Sequence, residues 1–518
     1  MKKIFQITAL VLVIGSMSAC KKSFDSLAAD PNRATSVPAN LILNNVLLDF
    51  TEEAFNSTQR WNQYYVCNYA YYGNNEYNWT GYSFGGYNML KNIAQMETEA
   101  SKTVAAPNPY TAIGKFLKAY YLYDLTMHLG DVPVSEALKG LDNVTPKYDS
   151  QKQVFQQILT YLEQANTEMG TLKSTNYVLS GDFYYGNNIT KWQKAVNAFK
   201  LRVLIQLSQK DTDTEMAIKT KFAETISNPT KYPLFTSDAD NLAFVYNNQY
   251  NKYSTNPDNF GFDATRYNMS STLLGNLTTL KDPRTFYVAE PASSLVAAGK
   301  APNSYDAFVG AGAGEDLATM SANANLGKYS FINRKRYYQT YTAEITTQVG
   351  YQEMCFNIAE AANRGWITGQ DAETWYQNGI KASQAFYGIK EGANTVTFQK
   401  PGGTLAESVT YSVDFNYATY YAQPAVKYAG STTGLNQILL QKYLAMYQNS
   451  GPEGYYNWRR TGVPTFHVGP GTGNSQRVAL RFQYPSAERA VNKANVEAAI
   501  ASQFGGSDDI NAKMWIIK

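Results

Sequence analysis

Apolar side chains recur every three to four residues over most of this chain, the spacing that gathers them on one face of an α-helix. Ile113, Phe116, Leu117, Tyr120 and Tyr121 form such a stripe. Asn108 suits an N-cap, Pro109 suits the first helical position and Gly130 suits a stop, so a helix is predicted over 109–129. Val154, Ile158, Leu162 and Ala165 mark a second helix, capped by Asp149 or Ser150. Trp192, Val196, Phe199, Val203 and Leu207 mark a third. Met354, Ile358 and Ala361 begin a pair completed by Trp375, Gly379, Ala382 and Phe386. Further helices are predicted over 40–57, 88–103, 436–449 and 487–503. Successive helices read as antiparallel pairs, as in helical-repeat proteins, although no repeat consensus is legible. Three stretches break the period: 61–87, 229–342 and 391–434. The second is rich in Asn, Gly, Tyr and Pro, and the third reads as loops and short strands. Long irregular segments in a compact protein are usually functional or disordered.

The N-terminus carries a different pattern. Lys2 and Lys3 precede an apolar run over residues 4–15 that only Gln6 and Thr8 interrupt. Ser16, Met17, Ser18 and Ala19 then lead to Cys20, the arrangement of small residues beside a cysteine that a signal peptidase reads. The run falls short of the roughly 20 residues that span a bilayer. Residues 1–19 are predicted to be a lipoprotein signal peptide and Cys20 its lipidation site. A cysteine bearing more than one acyl chain is stably anchored. No second long apolar stretch follows, so a soluble body tethered to a membrane is expected.

Composition narrows the partners. The 518 residues could form about three average domains. Charged residues make up 17%, below the usual quarter or so. The formal charge is +3, and removal of Lys2 and Lys3 with the signal leaves almost none. A nucleic-acid binder needs a concentrated basic face, which is missing. Besides Cys20 only Cys67 and Cys355 remain; they could pair in an oxidising compartment, but two separate buried thiols fit better, since Cys355 lies in an apolar helical pattern.

Tyrosine is in excess, with 41 residues beside 24 Phe and 7 Trp. Eleven aromatics crowd residues 61–87, interleaved with Asn62, Asn68, Asn74, Asn75 and Asn78 and with Glu76 as the one acid. A flat ring accepts the apolar C–H face of a pyranose, and an amide both donates to and accepts from its hydroxyls. Trp61, Tyr64 and Tyr65 continue a helical spacing and read as packed. Gly73, Asn74, Asn75 and Gly81 mark exposed turns. The candidate ligand contacts are therefore Tyr71, Tyr72, Asn74, Asn75, Tyr77, Trp79 and Tyr82, with Tyr305 and Phe308 added from the Gly-rich loop. The alternative is that part of this tyrosine simply packs a core.

Other motifs carry less. Gly81-Tyr82-Ser83-Phe84-Gly85 matches G-x-S-x-G, but the nucleophile elbow needs a buried apolar strand before it, and residues 74–79 are polar and turn-rich. His128 and His467 are the only histidines, and neither lies in a triad context. Gly310, Gly312 and Gly314 lack the lysine of a phosphate loop. Asp238 and Asp240 lack the glycine and distal glutamate of an EF-hand. No catalytic constellation, metal site or cofactor is predicted.

Several segments, in order, resemble the SusD/RagB family of outer-membrane nutrient-binding lipoproteins, in particular its SusD-like branch. Asp30-Pro31-Asn32 resembles the family's N-terminus. Leu129-Gly130-Asp131-Val132-Pro133, with Ser135-Glu136-Ala137, resembles its "GDVPYSEA" turn, and Pro146-Lys147-Tyr148-Asp149 precedes a helix as in the family. Lys191-Trp192 with Ala195, Asn197, Leu201 and Arg202 resembles its "KW…AN…LR" helix. Asp282-Pro283-Arg284, Ala359-Glu360-Ala361 with Arg364-Gly365-Trp366, Trp458-Arg459-Arg460-Thr461-Gly462 and Tyr484-Pro485 complete the series.

The resemblance implies a mainly α fold, with tetratricopeptide-like helix pairs forming a superhelical scaffold. Long irregular loops and a few short strands would carry the ligand site. It implies one domain over 20–518, with ligand-binding insertions near 61–87, 229–342 and 391–434. It implies a non-enzymatic lid over a SusC-like TonB-dependent transporter, delivering oligosaccharides or, in RagB-type relatives, peptides; a surface glycosidase is a weaker alternative. The protein would be lipid-anchored at the outer membrane and face outward. Relatives often carry acids directly after the lipidated cysteine, whereas Lys21, Lys22 and Ser23 follow here and Asp25 is the first acid. Asp131 and Arg460 read as scaffold, because ligand residues in this family lie in variable loops.

Overall fold

Helical spacing in the sequence becomes helix where caps agree with it. The computed structural model describes residues 36–518, so the signal segment, Cys20 and Asp30-Pro31-Asn32 lie outside the described residues. The helices that build the scaffold's pairs and clamps are α1 (Ala39–Asp49), α2 (Gly86–Ser101), α3 (Pro109–Leu129), α4 (Gln151–Leu172), α5 (Ile189–Gln206), α6 (Tyr351–Asn363), α7 (Ala372–Phe386), α8 (Ser431–Ala445) and α9 (Glu453–Thr461). Asn108 caps α3 in a capping box with Thr111, and Ser150 rather than Asp149 caps α4, in a capping box with Gln153.

Neighbouring helices pack as tetratricopeptide-like pairs. Helix α3 lies between α2 and α4, α4 packs on α5, and α6 packs on α7 and α8. Contact between α5 and α6 joins the two sets. At the centre Trp192 is fully buried, 5.7 Å from Phe116 and 5.4 Å from Tyr185, and its indole N–H donates to Asp182 at 2.9 Å.

Buried ion pairs tie these helices together. Arg202 of α5 meets Glu353 of α6 at 2.5 Å and donates to the Gln348 carbonyl at 2.6 Å. Arg460 of α9 clamps Glu360 of α6 with bonds of 2.5 and 2.8 Å. Asp282 and Arg284 pair with both side chains buried. The Asp131 carboxylate accepts the Gln151 N–H at 2.7 Å, at the start of α4. The arginine, glutamate and aspartate positions of the shared motifs thus hold scaffold. Losing one member of a buried pair typically costs about 3–5 kcal/mol.

The strands are short and pair locally. β1 (Tyr65–Cys67) runs antiparallel to β3 (Tyr267–Met269), and β2 (Leu242–Phe244) to β4 (Thr346–Val349). β5 (Gly392–Gln399) and β6 (Ser408–Phe415) form a hairpin of two eight-residue strands within the predicted loop-and-strand stretch. Among the described residues no helix is long and apolar enough to cross a membrane. Cys67 and Cys355 are buried free thiols.

Two helix predictions and one irregular stretch need correction. The helix expected over 40–57 stops at Asp49, and Phe55 then adopts φ 56°, which no helix tolerates. The helix expected over 487–503 breaks at Asn492 (φ −128°), whose side chain donates to the Pro146 carbonyl at 2.8 Å. The stretch 229–342 contains helices Ser271–Thr279 and Leu317–Asn325, capped by Ser270 and Asp316.

Much of the tyrosine excess is explained by the core. Tyr64 donates to the Tyr443 carbonyl at 2.8 Å, Tyr443 to the Asn62 carbonyl at 2.8 Å, Tyr455 to the Ala479 carbonyl at 2.6 Å and Tyr484 to the Asp131 carbonyl at 2.8 Å. Each of these rings is 1% exposed or less. A tyrosine can be buried in this way because its polar tip finds an acceptor.

Candidate functional site

Where β1 ends, the chain leaves the scaffold as a loop with a defined neck. The Asn68 N–H donates to the Arg266 carbonyl at 2.9 Å, and its side chain donates to Thr265 O at 3.0 Å and Asn268 Oδ1 at 2.7 Å. This fixes the loop beside the residues that lead into β3. Asn75 closes the neck. Its Oδ1 accepts the Cys67 N–H at 2.9 Å and its Nδ2 donates to the Cys67 carbonyl at 2.8 Å, so the amide imitates a strand partner. Both amide ends are consumed, which makes Asn75 a brace and not the free ligand contact that its residue type suggested.

Between these braces three tyrosines stand on the surface. Tyr71 is 83% exposed and Tyr69 50%, with Tyr72 half-buried beneath them. Tyr71 and Tyr72 meet edge to face with centroids 5.1 Å apart, and Tyr69 and Tyr72 are 6.1 Å apart. The rings form a corner with accessible faces in two directions. Arg266 lies 5.1 Å from the centre of the Tyr69 ring. Arg60 supports the other side, donating to the Asn74 carbonyl at 3.0 Å and to the Tyr65 hydroxyl at 2.7 Å. Gly73 packs against the same side chain, where a Cβ would come within 2.8 Å of the Arg60 guanidinium carbon and push that flexible group aside. Asn74 Oδ1 accepts the Glu76 N–H at 2.8 Å, which turns the chain and leaves the amide nitrogen at the surface.

The predicted contacts further along go elsewhere. After Glu76 the chain is extended, and alternate side chains turn inward. Tyr77 is 1% exposed and Trp79 8%, whereas Asn78 and Thr80 face out. The Tyr77 N–H donates to Thr472 O at 2.8 Å and the Tyr82 N–H to Gln483 O at 2.9 Å, which docks the segment on the C-terminal region. Trp79 stacks on Phe482 at 4.1 Å and 7°, and Tyr77 donates to the Trp61 carbonyl at 2.8 Å. Tyr82 lies half-buried on His128 at 4.1 Å and donates to Asp124 at 2.9 Å. Tyr77, Trp79 and Tyr82 are therefore corrected from platform to packing. Phe308 is 5% exposed, 5.3 Å from Phe286, and Tyr305 sits 4.7 Å from the same ring with its hydroxyl on the Lys281 carbonyl. Neither touches the tyrosine corner.

The serine and glycine motifs resolve as structure. Ser83 Oγ accepts the Gly85 N–H at 3.0 Å, and no strand precedes it to build an elbow. Gly310 and Gly314 permit main chains to touch: a Cβ at Gly310 would lie 2.5 Å from Ser271 N, and one at Gly314 2.3 Å from Gly469 N. Among the described residues no group of three His, Cys, Asp or Glu side chains could hold a metal.

A second exposed aromatic group escaped sequence reading. Tyr250 is 87% exposed, presented by a turn in which Asn247 Oδ1 accepts the N–H groups of Gln249 and Tyr250. Tyr341 carries Lys252 over its ring at 4.4 Å and donates to Asp258 at 2.7 Å. Tyr341 borders an open cleft of about 590 Å³ with Tyr246, Asn247 and Gln339. Both loops spring from one aromatic floor, where Phe55 lies 5.5 Å from Tyr65, 6.3 Å from Tyr253 and 5.0 Å from Tyr337. The larger cleft of about 690 Å³, by Pro38, Val104 and Val178, lies among the scaffold helices and is lined by half-buried Tyr110 and Tyr177.

Known proteins share this architecture. A SusD homolog from Bacteroides fragilis NCTC 9343 superposes with a TM-score of 0.81 at 29% identity, covering 93% of this chain and all of that one. A second SusD homolog from the same strain gives 0.77 at 30% identity, with 93% and 100% coverage. A chitin-binding protein gives 0.70 at 23% identity over 93% of this chain and all of that one, a likeness that speaks to the fold. A search of curated proteins finds no match. The family model SusD-like, described as starch-binding and associating with the outer membrane, matches residues 31–485, and the chain belongs to that family.

Proposed function

We propose that this protein binds oligosaccharides or polysaccharide fragments at the outer membrane and passes them, as a lid, to a SusC-like TonB-dependent transporter. The observation that carries the reading is the corner at which Tyr69 and Tyr71 stand exposed on half-buried Tyr72, although a hydroxyl-tipped aromatic gains most by burial. Two ring faces at a steep angle suit a curved or branched chain of sugars. The neighbouring Asn74 amide supplies a donor to a hydroxyl. The family's description as starch-binding supports a glycan as the ligand class. The protein acts by capture and release and breaks no bond. Lipid at Cys20 would tether it, with the body outside the cell.

Titration calorimetry against parallel panels of oligosaccharides and peptides tests the ligand class. Saturable heats with a subset of glycans support the proposal. Heats with peptides alone would replace it with a RagB-type peptide lid, in which backbone hydrogen bonding carries more of the affinity.

A further inference from the structure

Two guanidinium groups flank the tyrosine corner, and neither has a carboxylate partner among the described residues. Among the described residues eight arginines have a carboxylate within 4.0 Å, including Arg202, Arg284 and Arg460. Arg60, Arg266, Arg459 and Arg477 have none, and of these four only Arg60 and Arg266 flank the tyrosine corner. Arg266 spreads over the Tyr69 ring at 5.1 Å, and its Nε is buried without an acceptor. Arg60 spends Nε on the Asn74 carbonyl and Nη1 on Tyr65, both neutral acceptors. Both hold the 68–75 loop: Arg60 donates to the Asn74 carbonyl at 3.0 Å, and the Arg266 carbonyl accepts the Asn68 N–H at 2.9 Å.

The carboxylates in reach are turned to other donors. Asp263 accepts the Tyr338 hydroxyl at 2.6 Å, and Glu76 accepts the Asn78 amide at 2.7 Å. The planar fork of arginine matches a carboxylate or sulfate through two parallel bonds.

We propose that the Tyr69–Tyr72 corner selects an anionic glycan, bearing uronate or sulfate groups, with Arg266 as the principal counter-charge and Arg60 as its support. This rests on the glycan reading above and adds a substrate class to it. A sugar ring would stack on Tyr71 or Tyr72 while its acidic substituent reaches the guanidinium beside Tyr69.

The test uses matched ligands that differ only in charge: an oligogalacturonate against its methyl ester, and a sulfated galactan oligosaccharide against its desulfated form. Calorimetry with the wild-type protein should show the anionic member of at least one pair bound about 10- to 100-fold tighter, as a charge-assisted bond predicts. Which pair responds separates carboxylate from sulfate. Raising salt to about 0.5 M should shrink that preference. Arg266→Gln should abolish it at unchanged melting temperature, and Arg266→Lys should restore part of it. Equal affinity for both members of each pair, at low and high salt, overturns the anionic selection and leaves the glycan reading intact. Failure of every glycan, neutral or charged, overturns both.

Discussion

The separation of platform from packing aromatics can be measured with two substitutions eight residues apart. Trp79 is 8% exposed and is enclosed by Phe482 at 4.1 Å, Trp61 at 5.0 Å and Tyr455 at 5.2 Å. Trp79→Ala removes a ring of the size whose loss from a core costs about 3–5 kcal/mol. Unfolding entropy near the melting temperature is about 2.1 cal/mol/K per residue, roughly 1 kcal/mol/K for a chain of this size. The melting temperature should therefore fall by about 3–5 °C. Tyr71 is 83% exposed, so Tyr71→Ala should change stability by less than about 0.5 kcal/mol and leave the melt almost unmoved. A stacking contact of about 1 kcal/mol lost from the bound state should weaken glycan binding about fivefold. Scanning calorimetry and titration calorimetry on both variants give the full comparison. An unchanged melt with abolished binding for Trp79→Ala, or a lowered melt with unchanged binding for Tyr71→Ala, would refute the assignment.

Other consequences are as direct. Gly310→Ala and Gly314→Ala should each lower the melting temperature by several degrees, because a Cβ would meet main-chain atoms at 2.5 and 2.3 Å; Gly312→Ala should be tolerated, its nearest neighbour being 3.7 Å away. Burial alone would raise the Glu360 pKa, but Arg460 and Arg364 hold it at about 2, below its ordinary 4.5. A folded value below the unfolded one means that the stabilisation stands above pH 4.5 and drains as pH falls toward 2, on the order of 3 kcal/mol; Glu360→Gln should flatten the stability–pH curve in that window, measured by denaturant titration. Protease shaving of intact cells should degrade the protein if it faces outward, and its protection would place it on the periplasmic side. Gentle detergent extraction should recover it with a β-barrel transporter, whereas recovery alone would count against the lid.

The scaffold was largely legible because its signals are local. Asn108-Pro109 and Ser150 carry their caps in the sequence, and the Trp192 stripe declares its buried face. The helix predicted over 40–57 stops at Asp49, and further on Phe55, packed against Tyr65 and Tyr337, has φ 56°, which no local pattern announces. The site was half legible. An aromatic-rich, turn-rich segment was evident, yet composition could not tell Tyr71 from Tyr77. The period-two alternation Glu76-Tyr77-Asn78-Trp79-Thr80 was the overlooked sign that Tyr77 and Trp79 turn inward. Arg266 and Tyr250 were not recoverable from local pattern, since the loops that present them meet the tyrosine corner and its floor only through pairing of β1 with β3 and packing around Phe55.

The central claim is that sugars bind on the Tyr69–Tyr72 corner. A crystal structure of the protein with a bound oligosaccharide identified by titration tests it most directly. The account predicts a pyranose ring stacked on Tyr71 or Tyr72, with polar groups within hydrogen-bond distance of Asn74 or Arg266. Ordered sugar seated instead in the cleft by Tyr110 and Val178, with Tyr69, Tyr71 and Tyr72 bare, would contradict it.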